Sequence, residues 1–145
     1  MAWRIRFGHD PHRLDAVRFG WAPLGWPWAI LGALLISASM VPVAGAMAVN
    51  RNLEQTVRIQ ADRGHQVTTT GPYRYVRHPM YAGLLLGLPG TALLLGSAWS
   101  LVPAAACGAV LVIRTALEDR TLRRELPGYE EYARHTRFRL VPGLW

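Results

Sequence analysis

The sequence predicts an all-α integral membrane protein with about three transmembrane helices. Two of them form a helical hairpin in the C-terminal half, and short cytoplasmic helices complete the chain. Three observations carry this. No charged residue occurs from Phe19 to Asn50, and none from Pro79 to Ile113. A span needs about 20 apolar residues, so the first run holds one crossing, and the second, too long for one, holds two short ones. The remaining charge is strongly basic: 16 basic against 9 acidic residues, every basic one an arginine, for a net charge of +7. That balance fits a nucleic-acid binder or a membrane protein with cytoplasmic arginines. The uncharged runs decide for the membrane, because a soluble nucleic-acid domain has no need of them.

Residues 1–23 read as a solvated or interfacial N-terminal arm, and 24–145 as a single membrane domain. The pair His9 and His12 is too small a set for a metal site, and no metal is expected. The apolar stretch that follows is too long for a secretory signal and lacks a small-residue cleavage site near its end. The first span covers about 24–49. Trp21, Trp26 and Trp28 form an aromatic belt at one end, Pro42 predicts a kink, and a face of Gly32, Ser39, Gly45, Ala46 and similar small residues permits close helix approach. That face could also pair with a second copy of the chain.

Residues 51–70 are a polar connector expected to lie over the site. Val57-Arg58-Ile59-Gln60 alternates weakly, Asp62-Arg63-Gly64 is a turn, and His65 to Thr70 is β-prone. The hairpin spans are placed at about 80–96 and 99–117, with Gly96-Ser97 as their turn and Trp99 near the far interface. Cys107 excludes an internal disulfide and reads as a small packed core residue. Pro127-Gly128 ends the helix that carries Arg120, Arg123 and Arg124, and Tyr129 and Tyr132 share one side of the next. Arg137, Arg139 and the apolar residues 141–145 form a tail suited to cover the site. Five arginines in 51–78 and seven from 114 onward place both flanks in the cytoplasm by the positive-inside rule. The four arginines of the N-terminal arm then either violate the rule weakly, or the arm lies along the membrane.

The chemistry concentrates in Gly71-Pro72-Tyr73-Arg74-Tyr75-Val76-Arg77-His78-Pro79-Met80-Tyr81, at the mouth of an apolar helix. Pro79 suits the first helical position, where its missing N–H has no intrahelical partner. His78 then falls at the N-cap, and nearby N–H groups and the helix dipole favour a carboxylate or phosphate. The plainer alternative has Arg74 and Arg77 on lipid headgroups with the tyrosines anchored at the interface. The hairpin returns Arg114 and Glu118 to the side of His78. Lying four apart, these two share a helix face: they are either an ordinary ion pair or a ligand clamp, Glu118 for an ammonium and Arg114 for an anion.

The series Gly71-Pro72-Tyr73, Arg77-His78-Pro79, Tyr81, a hairpin, Arg114, Glu118, Gly128-Tyr129, Tyr132 and Pro142 resembles the isoprenylcysteine carboxyl methyltransferase family and its bacterial relatives. These are similar in turn to phospholipid methyltransferases. The resemblance covers roughly residues 50–145. It implies a membrane methyltransferase that uses S-adenosyl-L-methionine outside the usual Rossmann-like fold. It assigns cofactor contacts to His65, Gln66, Val67, Thr68, Tyr73, His78, Pro79, Met80, Tyr81 and Glu118, and associates Arg114 with the substrate. His78 and Arg114 are the catalytic candidates. The sequence departs at Asp119, where a second glutamate is common, and at Arg58, where a family glutamine falls. Its N-terminal part is also shorter than in the eukaryotic enzymes.

On this reading Glu118 pairs with the cofactor ammonium, the start of the helix at His78 holds its carboxylate, and Tyr73 or Tyr81 meets adenine or the sulfonium. The expected partners are a lipophilic methyl acceptor and the bilayer, not nucleic acid. The expected place is a bacterial plasma membrane with the site facing the cytoplasm. Arg114 favours a carboxylate acceptor. The alternative is an amine acceptor, with His78 or Glu118 taking its proton. A non-catalytic arginine-rich protein binding anionic lipid or a partner is the alternative of another class.

Overall fold

The computed structural model describes residues 24–50 and 67–145. The N-terminal arm, the turn at Asp62-Arg63-Gly64, His65 and Gln66 lie outside the described residues. The described chain is helical: α1 (Trp26–Val49), α2 (Pro79–Leu94), α3 (Leu101–Glu125) and α4 (Tyr129–His135), with single 3-10 turns at Gly71–Arg74 and Ala98–Ser100. The β-prone residues 67–69 take no regular structure, because no strand among the described residues offers them an edge to pair with.

The 24 residues of α1 rise about 36 Å, enough to cross a hydrocarbon core of about 30 Å. The helix starts with proline in its first turn and continues through Pro42 to Val49. The 25-residue α3 is as long, apolar from Leu101 to Ile113 and charged beyond it, whereas α2, with 16 residues, rises only about 24 Å. Only 17% and 6% of the most apolar stretches of α1 and α3 are buried. The central helix of a soluble protein would be mostly buried, so these apolar surfaces meet lipid, and the chain is an all-α membrane protein.

Small residues bring α1 and α2 together. Gly32, Ser39 and Ala46 are buried seven apart on one side of α1. A Cβ on Gly32 would stand 2.6 Å from the carbonyl oxygen of Gly90, and one on Gly83 2.7 Å from that of Ser39. Gly32 and Ser39 of α1 are thus covered by α2 of the same chain, while Ala33, Ser37, Ala38 and Ala44 stay exposed. Between lipid-solvated helices, close backbone approach is what supplies packing.

The hairpin turn falls where the sequence places it. Gly96 adopts φ +71, its N–H reaches the carbonyl of Leu93 (3.0 Å), and its own carbonyl accepts from Leu24 (2.8 Å). On the return, α3 runs two turns past the predicted span end at 117, to Glu125. Charge ends the membrane-compatible stretch but not the backbone hydrogen bonding. Pro127-Gly128 then stops the helix, with Gly128 at φ +82. Cys107 is exposed, which corrects its reading as a packed core residue. It lies on a helix whose apolar faces turn to lipid, so small apolar character there does not signal burial.

The protein's own core sits at the polar end of the bundle. Ala46, Tyr73, Leu126, Tyr129, Tyr132 and Ala133 form it, with Val49, Val67, Met80 and Leu122 packed around. This cluster supports the motif that opens α2.

Candidate active site

His78 caps α2 and Pro79 begins it, as the sequence predicts, although the imidazole makes no capping bond. Two consecutive residues of the motif meet two consecutive residues of α3. His78 Nδ1 lies 3.9 Å from Glu118 Oε1, and Arg77 Nε donates to Asp119 Oδ1 at 2.7 Å. One turn into α2, the Tyr81 hydroxyl donates to Glu118 Oε2 at 2.8 Å and accepts from Arg114 Nε at 2.9 Å. The His78 and Tyr81 rings stack with centroids 6.0 Å apart, and the Arg114 guanidinium carbon is 5.9 Å from the Tyr81 ring centre. Arg114 and Glu118 are therefore not a simple exposed pair. Both are organised around a tyrosine 33 and 37 residues earlier in the chain.

Arg77 is 4% exposed. Its guanidinium also donates to the carbonyls of Thr136 and Arg137, each at 2.8 Å. It is thus an internal tie, which corrects its reading as a lipid-headgroup ligand; Arg74 and Tyr75 are exposed. The tail lies on the motif as expected: the N–H groups of Arg77 and His78 donate to the carbonyls of Phe138 and Arg139, both at 2.9 Å. The His78 N–H expected to face an anion is therefore already taken.

Among the other predicted cofactor residues, Tyr73 is a core residue. Its hydroxyl accepts from Asn50 at 2.9 Å and its carbonyl from the Tyr132 hydroxyl at 2.8 Å. Pro79 is buried and Met80 packs on the same core. Thr68 is half-buried, and Val67 borders an open groove of about 730 Å³ with Arg74, Gly128, Tyr132 and His135. The groove lies at the Tyr132 side of the tyrosine pair, whereas the Tyr129 hydroxyl, 3.5 Å from His78 Nε2, donates to Asp119.

Sequence reading missed the centre of this arrangement. Asp119, noted only as a departure from a glutamate pair, is fully buried. It accepts from Arg77, Arg123, Arg139 and Tyr129. The adjacency of Arg77-His78 and of Glu118-Asp119 was the available signal.

Burial raises the pKa of Tyr129 above the ordinary 10.0, and the charge and hydrogen bond of Asp119 raise it further. Burial raises Tyr132 as well, partly opposed by a hydrogen bond at Thr136. Folded phenols thus keep their protons where unfolded tyrosine loses them. Their contribution to stability is full below pH 10 and falls as pH rises beyond it. Equilibrium unfolding in detergent at rising alkaline pH is expected to show this decline. A Tyr129→Phe variant should show a shallower one.

A family model for phospholipid methyltransferases matches residues 27–127. The chain is 32% identical to the cobalt-zinc-cadmium resistance protein CzcN of Cupriavidus metallidurans, over 77% of this chain and 51% of that protein. It is 31% identical to the nickel-cobalt-cadmium resistance protein NccN of Alcaligenes xylosoxydans xylosoxydans, over 77% and 52%. A rice protein (Oryza sativa subsp. indica) named "Probable protein-S-isoprenylcysteine O-methyltransferase" is 27% identical over 63% of this chain and 48% of its own length. The chain spans about half the length of the curated relatives it matches. With the match covering most of the chain, from α1 through α3, this protein belongs to the phospholipid methyltransferase family.

Proposed function

We propose that this chain is an S-adenosyl-L-methionine-dependent methyltransferase that methylates a lipophilic acceptor, best a carboxylate, from a site facing the cytoplasm of a bacterial plasma membrane. One observation carries the reading: His78, Tyr81, Arg114 and Glu118 converge where the two arms of an apolar hairpin reach the polar boundary. The residues present fit the cofactor. The Glu118 side chain is 21% exposed and accepts a hydrogen bond from Tyr81 through Oε2. Its Oε1, at 3.9 Å from His78, is beyond hydrogen-bond reach of that ring. A carboxylate so placed suits an ammonium group.

When bound, S-adenosyl-L-methionine supplies an electrophilic methyl on a sulfonium. Glu118 would hold the ammonium end, and Tyr81 holds Glu118. Arg114 orients an anionic acceptor that enters along the lipid-facing helices. Direct displacement mainly needs aligned reactants, and an ionised carboxylate requires no residue to remove a proton. An amine acceptor is the second reading, favoured by the family's phospholipid description. In that case His78 and Glu118 are the groups placed to accept the proton. The arginine-rich flanks support the cytoplasmic orientation.

Calorimetric titration of the detergent-purified protein with S-adenosylhomocysteine tests the reading, with His78→Ala and Glu118→Ala alongside. Saturable binding lost in both variants is the expected result. No binding by the folded wild type would sink it and favour a non-catalytic lipid-binding role. A second prediction separates cofactor from acceptor. Arg114→Ala should keep cofactor affinity within a few-fold yet lower methyl transfer into native lipid extract about ten- to hundred-fold, the worth of a lost charged hydrogen bond. Labelled cofactor provides the measurement, and equal loss of both activities would reassign Arg114 to the cofactor.

A further inference from the structure

We infer that Asp119 is a positioning residue: it latches the tail segment 136–140 onto the Arg77-His78 motif and thereby holds His78 against Glu118. This rests on the reading of the His78–Glu118 space as the cofactor site. Asp119 and Glu118 are neighbours on α3, yet their surroundings differ. Asp119 is fully buried and its two oxygens accept from Arg77 Nε (2.7 Å) and Nη2 (3.3 Å), Arg139 Nε (3.0 Å), Arg123 Nε (3.2 Å) and the Tyr129 hydroxyl (3.0 Å). A carboxylate has about four lone-pair sites, so this one is saturated and has no capacity left for a ligand ammonium. Glu118, partly exposed, is the one that can bind.

The latch has two halves that meet at Asp119. In the first, Arg77 spans from Asp119 to the carbonyls of Thr136 and Arg137, while the adjoining N–H groups of Arg77 and His78 hold Phe138 and Arg139. In the second, Arg139 returns its guanidinium to Asp119 and lies 4.8 Å from the ring centre of Trp145. His78 sits between the two carboxylates, Nε2 at 3.5 Å from Asp119 and Nδ1 at 3.9 Å from Glu118. Nε2 thus faces Asp119 and Nδ1 faces Glu118, so that Nδ1 and the Glu118 carboxylate converge on one small space. Removing the Asp119 charge would leave the Arg77 and Arg139 guanidinium groups converging without it, and Arg123 held by Glu130 alone; His78 would lose the wall behind it.

The test compares Asp119→Asn, Asp119→Glu and Arg139→Met in full-length, detergent-purified protein. Arg139→Met removes one tail donor and leaves the buried Arg77–Asp119 pair, so it decides the matter if Asp119→Asn fails to fold. Three readouts apply: affinity for S-adenosylhomocysteine, ring-nitrogen NMR of His78, and tryptic cleavage after Arg137. Asp119→Asn should weaken binding at least ten-fold and change the His78 ring signals, with partial recovery in Asp119→Glu. Arg139→Met should weaken binding three- to ten-fold and speed cleavage after Arg137. Wild-type ring signals, affinity and cleavage rate in folded Arg139→Met or Asp119→Asn would overturn the inference. If the wild type itself binds no S-adenosylhomocysteine, the cofactor reading fails, while the NMR and cleavage arms still decide whether Asp119 latches the tail to His78.

Discussion

Glu118→Gln is expected to weaken binding of S-adenosylhomocysteine by about thirty-fold or more while leaving the protein folded. Glutamine keeps the volume of the side chain, and its carbonyl can still accept from the Tyr81 hydroxyl, which now donates to Glu118 at 2.8 Å. What it loses is the charge. Removing one member of a desolvated, hydrogen-bonded charge pair costs about 2–5 kcal/mol, and the lower bound corresponds to roughly thirty-fold in affinity. Folding is expected to survive because Glu118 stands outside the Asp119 cluster and is partly exposed. Calorimetry with unfolding scans on the same preparations separates the two effects. Wild-type affinity in a folded Glu118→Gln protein would mean that the ammonium is held elsewhere and would remove Glu118 from the proposed site.

Two glycine-to-alanine changes should move stability in opposite directions. Both Gly32 and Gly108 lie inside helices, where alanine is intrinsically better by about 0.5–1 kcal/mol. At Gly108 the new methyl would meet Leu85 Cδ2 at 3.5 Å, an ordinary contact, so the intrinsic gain should survive. At Gly32 it would stand 2.6 Å from the carbonyl oxygen of Gly90 and 2.8 Å from the backbone nitrogen of Leu94. Backbone cannot rotate aside as a side chain can, so α1 and α2 must separate. Overpacking of this kind costs about 1–3 kcal/mol, more than the propensity gain. Unfolding midpoints in detergent, followed by tryptophan fluorescence, should fall for Gly32→Ala and rise for Gly108→Ala. A rise at both would show that the α1–α2 contact is looser than these distances require.

Much of the site was legible because its signals are local. Pro79 announces a helix start through its missing N–H, and His78 must then cap it. Gly96 marks a turn between two apolar runs, which returns Arg114 and Glu118 towards His78 without any knowledge of packing. The remainder depended on partners distant in the chain. Arg77 has a plainer reading as a headgroup ligand and Arg139 reads as part of a covering tail, and only a buried carboxylate between them makes both internal ties. Cys107 shows the converse error: a small apolar residue implies burial in protein only where protein, not lipid, is the apolar surroundings.

The sequence by itself determined the helical membrane architecture, the order of the spans, the hairpin turn and the meeting of His78 with Glu118. Hydropathy and chain reversal are properties of consecutive residues, and their consequences follow from length alone. Tertiary structure alone decided that Gly32 and Ser39 of α1 seat α2 and that Tyr81 joins Arg114 to Glu118. It alone made Asp119 the counter-charge on which Arg77, Arg123 and Arg139 close. A buried charge must be compensated where it stands, and which groups stand there is known only once separate segments are brought together.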